Sequence, residues 1–291
     1  MIDVGTGAKA LKSLTVGSLG ALGAATQAEG VIDPLLSKIL GSLPKLTVQR
    51  DVKDAIVEVS NKLGKVLIGG SLIDGGPPAQ PRRASGSIGV FLNGGIPPAN
   101  ASHAAAIFAP DIGSVTVMGD IKGGEISAEA QIKNVKIIGA LTSDDPLDPA
   151  ILRVGVGVDK VIIEVEVKNA LILAGYNRAL EPRNPGASIG KVTVKGNWTG
   201  SSVVAGIADP TDNGFGINDT IIPGGSGAIS RIASVIIRGT ASGSAIPTDH
   251  SAITAHKIGA LQIAGEEIPL TKGADEINLD PINQNFHAVE L

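Results

Sequence analysis

A nine-residue phrase recurs nine times along this 291-residue chain, starting at Leu11, Leu43, Leu63, Ile112, Ile132, Val158, Ile189, Ile232 and Ile258. Its clearest copies read IGSVTVMGD, IGKVTVKGN and IASVIIRGT. Position one is aliphatic throughout, position four is Val or Leu, and position six is Val or Ile. Position five is mixed: Thr15, Thr47, Leu67, Thr116, Lys136, Ile162, Thr193, Ile236 and Gln262. This period-two pattern predicts a short strand with one buried face. Position eight is Gly in six copies, which predicts a sharp corner or a positive φ angle. One supersecondary unit restarted at intervals makes a repeat protein, and that argues against a single catalytic pocket.

About 12 to 13 residues after each start, several copies carry a second apolar run, such as Ala55-Ile56-Val57-Glu58-Val59 and Ala170-Leu171-Ile172-Leu173. The unit therefore reads strand, corner, polar step, second strand, loop. Starts are 20 to 49 residues apart. One such unit cannot bury its apolar face alone, whereas stacked units bury a continuous core. The expected fold is all-β: a right-handed parallel β-helix of about nine coils in one domain spanning residues 1–291. At roughly 4.8 Å per coil it would be a rod on the order of 40 Å long. Insertions at Gly75–Gly86, Gly94–Asp111, Thr142–Ala150, Tyr176–Ala187, Ile207–Ser230 and Pro247–His256 are read as following the second strand, so long loops should leave on one side. Asp33-Pro34 before Leu35–Leu40, with Gly41 behind, predicts one short helix over residues 34–40, within a helical insertion or cap at 31–42. Residues 266–291 read as a C-terminal cap or tail.

Composition fits narrow stacked layers. Apolar residues make up 43% and aromatics only 2%, so the core is expected to be aliphatic. A net charge of −4 and few aromatics offer nothing to nucleic acid. The absence of cysteine excludes disulfides and thiolate metal sites. No apolar run is long enough for a transmembrane helix. The first residues lack the order of a signal peptide and already hold a repeat copy, LKSLTV, so the chain reads as a piece of something longer.

From Ser188 onward the chain reads SIGKVTVKGNWTGSSVVAGIADPTDNGFGINDT, then ISRIASVIIRGTASGSAIPTDHSAITAHKIGALQIAGEEIPL, and ends NFHAVEL. Over these last hundred or so residues it resembles the C-terminal β-helical region of large secreted bacterial β-strand-repeat surface proteins. In those, GxW.SSxxAG, a D..DNGFG loop and IG.xxIxG..xPL follow in that order. The resemblance implies a parallel β-helix with an extracellular or cell-surface location. It carries no catalytic residues.

The sharpest site signal is the loop from Asp209 to Asp219. Asp209, Asp212, Asn213, Asn218 and Asp219 supply hard oxygen donors of the kind Ca²⁺ takes, although the spacing is not that of an EF-hand. The competing reading is a polar turn in which Asp and Asn bond their own backbone. Thr142–Asp148 is a weaker acidic loop. Asp249-His250-Ser251 sets triad residue types side by side, but a triad needs spatial rather than sequential neighbours. His250 and His256 suggest zinc without a third ligand. Trp198 and Tyr176 are candidate carbohydrate ligands, against a reading of Trp198 as a cap over the core edge. Lys45, Lys65, Lys160 and Lys191 share position three and would form a ladder, either attracting acidic polysaccharide or simply keeping strands apart from other chains.

Three functions remain open. The first is a structural or adhesive segment of an exported bacterial surface protein, with extracellular polysaccharide or other surface proteins as partners. The second is a polysaccharide lyase or hydrolase, which needs carboxylates gathered in a groove. The third is a carbohydrate-binding module, which needs an exposed aromatic platform.

Overall fold

A computed structural model describes residues 3–4, 11–20, 35–74, 105–210, 214–224, 227–244, 250–271 and 273–291. Among them every regular element is a strand and none is a helix. Among the described residues no helix is long and apolar enough to cross a membrane. Three long sheets are built from parallel strands, an arrangement compatible with a β-solenoid.

All nine phrases supply strands of one sheet, here the phrase sheet, paired in chain order from Leu14–Val16 to Leu261–Ile263. The register is position on position. Ile112 lies beside Leu63 and Ile132, Val115 beside Val66 and Val135, and Val117 beside Ile68 and Ile137. Like side chains thus stack in columns roughly 4.8 Å apart. Positions one, four and six point inward: Ile132, Val135 and Ile137 are all fully buried. Each such Val or Ile contributes about 1.5–3 kcal/mol on burial.

Position two is skipped in the pairing: Ile112 pairs with Ile132, and the next pair is Ser114 with Asn134. This recurrent gap in the pairing, equal on both strands, lets positions two and three both face outward without turning positions four and six away from the core.

Position-eight glycines answer to crowding more than to φ. Gly265 alone of the six has a positive φ, 87°. A Cβ on Gly70 or Gly139 would lie inside contact distance of Asp51 Oδ1 or Asp120 Oδ1, the position-nine side chain of the preceding phrase. Those side chains are needed where they are. Asp51 Oδ1 accepts the Ser71 N–H (2.8 Å), Ser71 Oγ the Asp120 N–H (3.0 Å), and Asp120 Oδ1 the Ala140 N–H (2.8 Å). Asn197 repeats the contact with the Thr240 N–H at 3.1 Å. A polar ladder thus runs along the corner.

Past that corner, two-residue strands from Val52–Lys53 to Ala241–Ser242 form a short sheet of seven. The next corner is turned by residues with left-handed φ, Asp54 (48°), Gly123 (64°), Asn169 (48°) and Gly200 (53°). Asp, Asn and Gly are the types that tolerate it. The chain then enters the second sheet, whose parallel strands include Ala55–Val59, Glu125–Ala128, Ala150–Val154 and Ser202–Ala205.

The helix expected over 34–40 is a strand, Leu35–Ile39, in the second sheet. It pairs in register with the next strand, from Leu35 beside Ala55 to Ile39 beside Val59. Asp33, Pro34 and Gly41 are local signals. Five parallel pairs and the full burial of Ile39 are non-local, and they prevail. Residues 31–34 of the expected helical insertion lie outside the described residues.

The insertions also leave at two corners rather than one. Those at 74–105, 143–149 and 243–250 precede a second-sheet strand, whereas those at 175–187 and 206–230 follow one. Both groups flank the second sheet.

At the C-terminal end the parallel order stops on all three sheets. Glu266–Ile268 runs antiparallel to Leu261–Ile263, and Glu276–Asn278 antiparallel to Phe286–Glu290. Beyond the short sheet, Asp280 Oδ2 accepts the Gly243 N–H (3.0 Å) and Asn285 Nδ2 donates to the Ser244 carbonyl (2.8 Å). Open sheet edges invite pairing with other chains, and at this end Glu266–Ile268 and Glu276–Asn278 are the last strands of the phrase sheet and of the second sheet.

Candidate functional site

Apart from its last strand, Glu276–Asn278, the second sheet is largely buried on both faces. Its strands Glu125–Ala128, Ala150–Val154 and Ser251–Ala255 have no exposed residue. One face lines the aliphatic core. The other packs Leu173, Val204 and Ala252 against Tyr176, Ile207 and Phe215 from the loops that follow two of its strands. This loop-covered face holds several buried polar groups, Glu125, Ser127 and Arg153 among them.

At its centre Arg153 is fully buried. Its Nε donates to Glu125 Oε1 (3.2 Å), its Nη1 to the Tyr176 carbonyl (3.3 Å) and its Nη2 to Ser127 Oγ. Register explains the meeting: Ser127 and Arg153 are direct neighbours on adjacent strands. Burial lowers the Arg153 pKa, and the Glu125 carboxylate opposes that shift. Nearby, Arg178 lies over the Phe108 ring, 3.8 Å from its centre, and pairs with Glu58 at 3.6 Å. Sequence reasoning missed this cluster. A charged residue inside the apolar run Ile151-Leu152-Arg153-Val154 was the available signal.

The Asp209–Asp219 loop sits further toward the C-terminus. Strands Ile207–Ala208 and Thr220–Ile221 pair antiparallel and close its base. Tyr176 donates its hydroxyl to the Ile207 carbonyl and meets Phe215 edge-on, with ring centres 6.2 Å apart. Gly214 forms a parallel bridge with His250. Asp209 Oδ2 accepts the Gly214 N–H (3.0 Å), and Asp219 Oδ2 accepts the Gly216 N–H (2.9 Å). Burial pushes the Asp219 carboxyl up to about 7; the Gly216 bond opposes this, and the Asp209 charge adds to it. The same burial, helped by Asp219 and Asp209, raises the Tyr176 hydroxyl. Asp219 Oδ1 and His250 Nδ1 are buried without a hydrogen-bond partner.

Of the five expected calcium ligands, Asp209 and Asp219 are thus close enough to interact, and each spends one oxygen on the backbone. Asn218 is exposed. Asp212 and Asn213 lie outside the described residues. Among the described residues no group of three or more His, Asp or Glu is placed to hold a metal. In the acidic loop, Asp145 Oδ1 accepts the Leu147 N–H (2.9 Å) and Asp144 pairs with Lys122 (2.8 Å), so these carboxylates serve a turn and a surface ion pair.

The candidate carbohydrate ligands present no ring face to solvent. Trp198 is fully buried in the core, its indole N–H donating to the Ser201 carbonyl (2.9 Å). Tyr176 is 4% exposed. Ser251 donates its hydroxyl to the Asn285 carbonyl (3.3 Å), and Asp249 lies outside the described residues. The lysine column does form: Lys45 lies beside Lys65 and Lys160 beside Lys191, all four exposed.

In comparisons with protein-family models, curated proteins and solved structures, nothing matches this chain.

Proposed function

We propose that the chain is a right-handed parallel β-helix of about nine coils that serves as a structural or adhesive segment of an exported bacterial surface protein, without catalysis of its own. The observation that carries this reading is the unbroken register, in which phrase position pairs with phrase position from Leu14 beside Leu46 to Ile237 beside Ile263. Such a ladder distributes load over many equivalent backbone bonds. Right-handedness follows from the strong preference of crossovers between parallel strands. Location follows from the resemblance of the last hundred residues to secreted surface proteins. Under the loop-covered face, Arg153, Glu125, Ser127 and the Tyr176 hydroxyl bond one another or the backbone, as packing groups do.

Protease treatment of intact cells that make this protein tests the location. The segment is expected to be lost from intact cells; protection until lysis would overturn the reading. Incubation with acidic and neutral polysaccharides tests the rest. Their chain lengths should stay unchanged, and shortening of any of them would show catalysis.

A further inference from the structure

The phrase sheet segregates charge. From Leu43–Val48 to Lys257–Ile258 its strands carry nine Lys or Arg and two acidic residues, Asp111 and Asp159. The whole chain holds 24 basic and 28 acidic residues. The inward positions are aliphatic, so these charges stand on the solvent side. One column runs Lys45, Lys65, Ser114, Asn134, Lys160, Lys191 in direct register. Alongside it Lys136 and Lys195 flank Glu164, the former at 3.8 Å.

Keeping strands from sticking to other chains does not require this pattern. Mixed signs would serve as well, and like charges on directly paired residues weaken a sheet. Yet Lys45 neighbours Lys65 and Lys160 neighbours Lys191, and among the described residues none of the four has an ion-pair partner. A predominantly basic surface on a net acidic chain focuses positive potential outward.

We infer that the outer face of the phrase sheet is a docking surface for a linear acidic polysaccharide carrying one carboxylate per sugar, lying along the stacking direction. A pyranose unit in an extended chain is close in length to the strand spacing of roughly 4.8 Å, so successive carboxylates match the spacing within each lysine pair, Lys45–Lys65 and Lys160–Lys191, with Ser114 and Asn134 between the pairs. Nucleic acid fits less well. The sheet offers no helix for a groove, and Trp198 and Tyr176, the candidate stacking rings, are buried. The inference goes beyond the exported-segment reading and does not depend on it, because the purified chain suffices to test it.

The probe is polygalacturonate at low ionic strength, with dextran as the neutral glycan and duplex DNA as the other polyanion. Polygalacturonate should bind and dextran should not, and DNA should bind more weakly at equal charge concentration. Added salt should weaken polygalacturonate binding. The double variant Lys160→Gln/Lys191→Gln should bind it about tenfold more weakly. A control, Lys53→Gln/Lys168→Gln on the short sheet, should stay within about twofold. All four sites are exposed, so melting temperature should confirm folding. Absence of polygalacturonate binding, equal losses in the two double variants, or tighter binding to DNA would each overturn the inference.

Discussion

The phrase sheet and the second sheet share parallel pairing and strict register, yet they face the world differently. Lys62–Ile68 alternates buried and open positions on either side of its unpaired Gly64, with water on its outer side. Ala150–Val154 is buried at every position, with the core on one side and the chain's own loops on the other. A parallel strand covered on both faces reads as a continuous apolar run, whereas one covered on a single face alternates. The same backbone ladder therefore presents a solvated, basic face on one side and a sealed face with a buried ion pair on the other.

The largest effect should come from breaking the sealed face. Arg153→Ala leaves Glu125 buried and uncompensated, and a loss of about 3–5 kcal/mol is expected in denaturant unfolding. The double variant Arg153→Met/Glu125→Leu should recover most of it. Equal loss in both would mean that packing, rather than charge pairing, sets the cost. At the corner of the phrase sheet, Gly139→Ala sets a Cβ against Asp120 Oδ1 and should cost about 1–3 kcal/mol. Asp120→Ala removes the bond to the Ala140 N–H and should cost about 1 kcal/mol. Combined, the two should fall only partly short of their sum, because Asp120→Ala removes the side-chain clash but leaves the Gly119 backbone carbonyl 2.6 Å from the new Cβ. On the open face, Thr116→Val should change stability by no more than about 0.5 kcal/mol.

Acidity separates the two faces further. The Asp219 carboxyl, at about 7 when folded, binds its proton more tightly than in the unfolded chain. Its contribution to stability is fully present below the ordinary carboxylate range and is lost as pH rises through about 7. Melting temperature should therefore fall between mildly acidic and mildly basic buffer, and Asp219→Asn should flatten that slope. A slope unchanged in the variant would place its origin elsewhere.

Much of the phrase sheet was legible because its signal is local and repeated. Alternation at positions four and six named the buried columns, and the lysines at position three fell into register. The glycine at position eight was legible as a corner but not for its cause, since the crowding comes from Asp51 or Asp120 one repeat away. Asp33, Pro34 and Gly41 point to a helix because they speak only of neighbours, whereas what makes Leu35–Ile39 a strand is its pairing partner at Ala55–Val59. The candidate site was least legible. Asp209 and Asp219 stood out by residue type, but the Arg153–Glu125 pair depends on strand neighbours far apart in sequence, and the burial of Trp198 and Tyr176 on packing that no single segment displays.

Register is the central claim, and paired cysteines test it on a chain that has none of its own. Thr116 and Lys136 are direct neighbours on adjacent strands, at the roughly 5 Å Cα spacing a disulfide spans. Thr116→Cys with Lys136→Cys should cross-link rapidly under mild oxidation, with native melting behaviour retained. Thr116→Cys with Asn134→Cys, two positions out of register, should cross-link slowly or not at all. Faster cross-linking of the displaced pair, or equal rates for both, would contradict the stacked-phrase account.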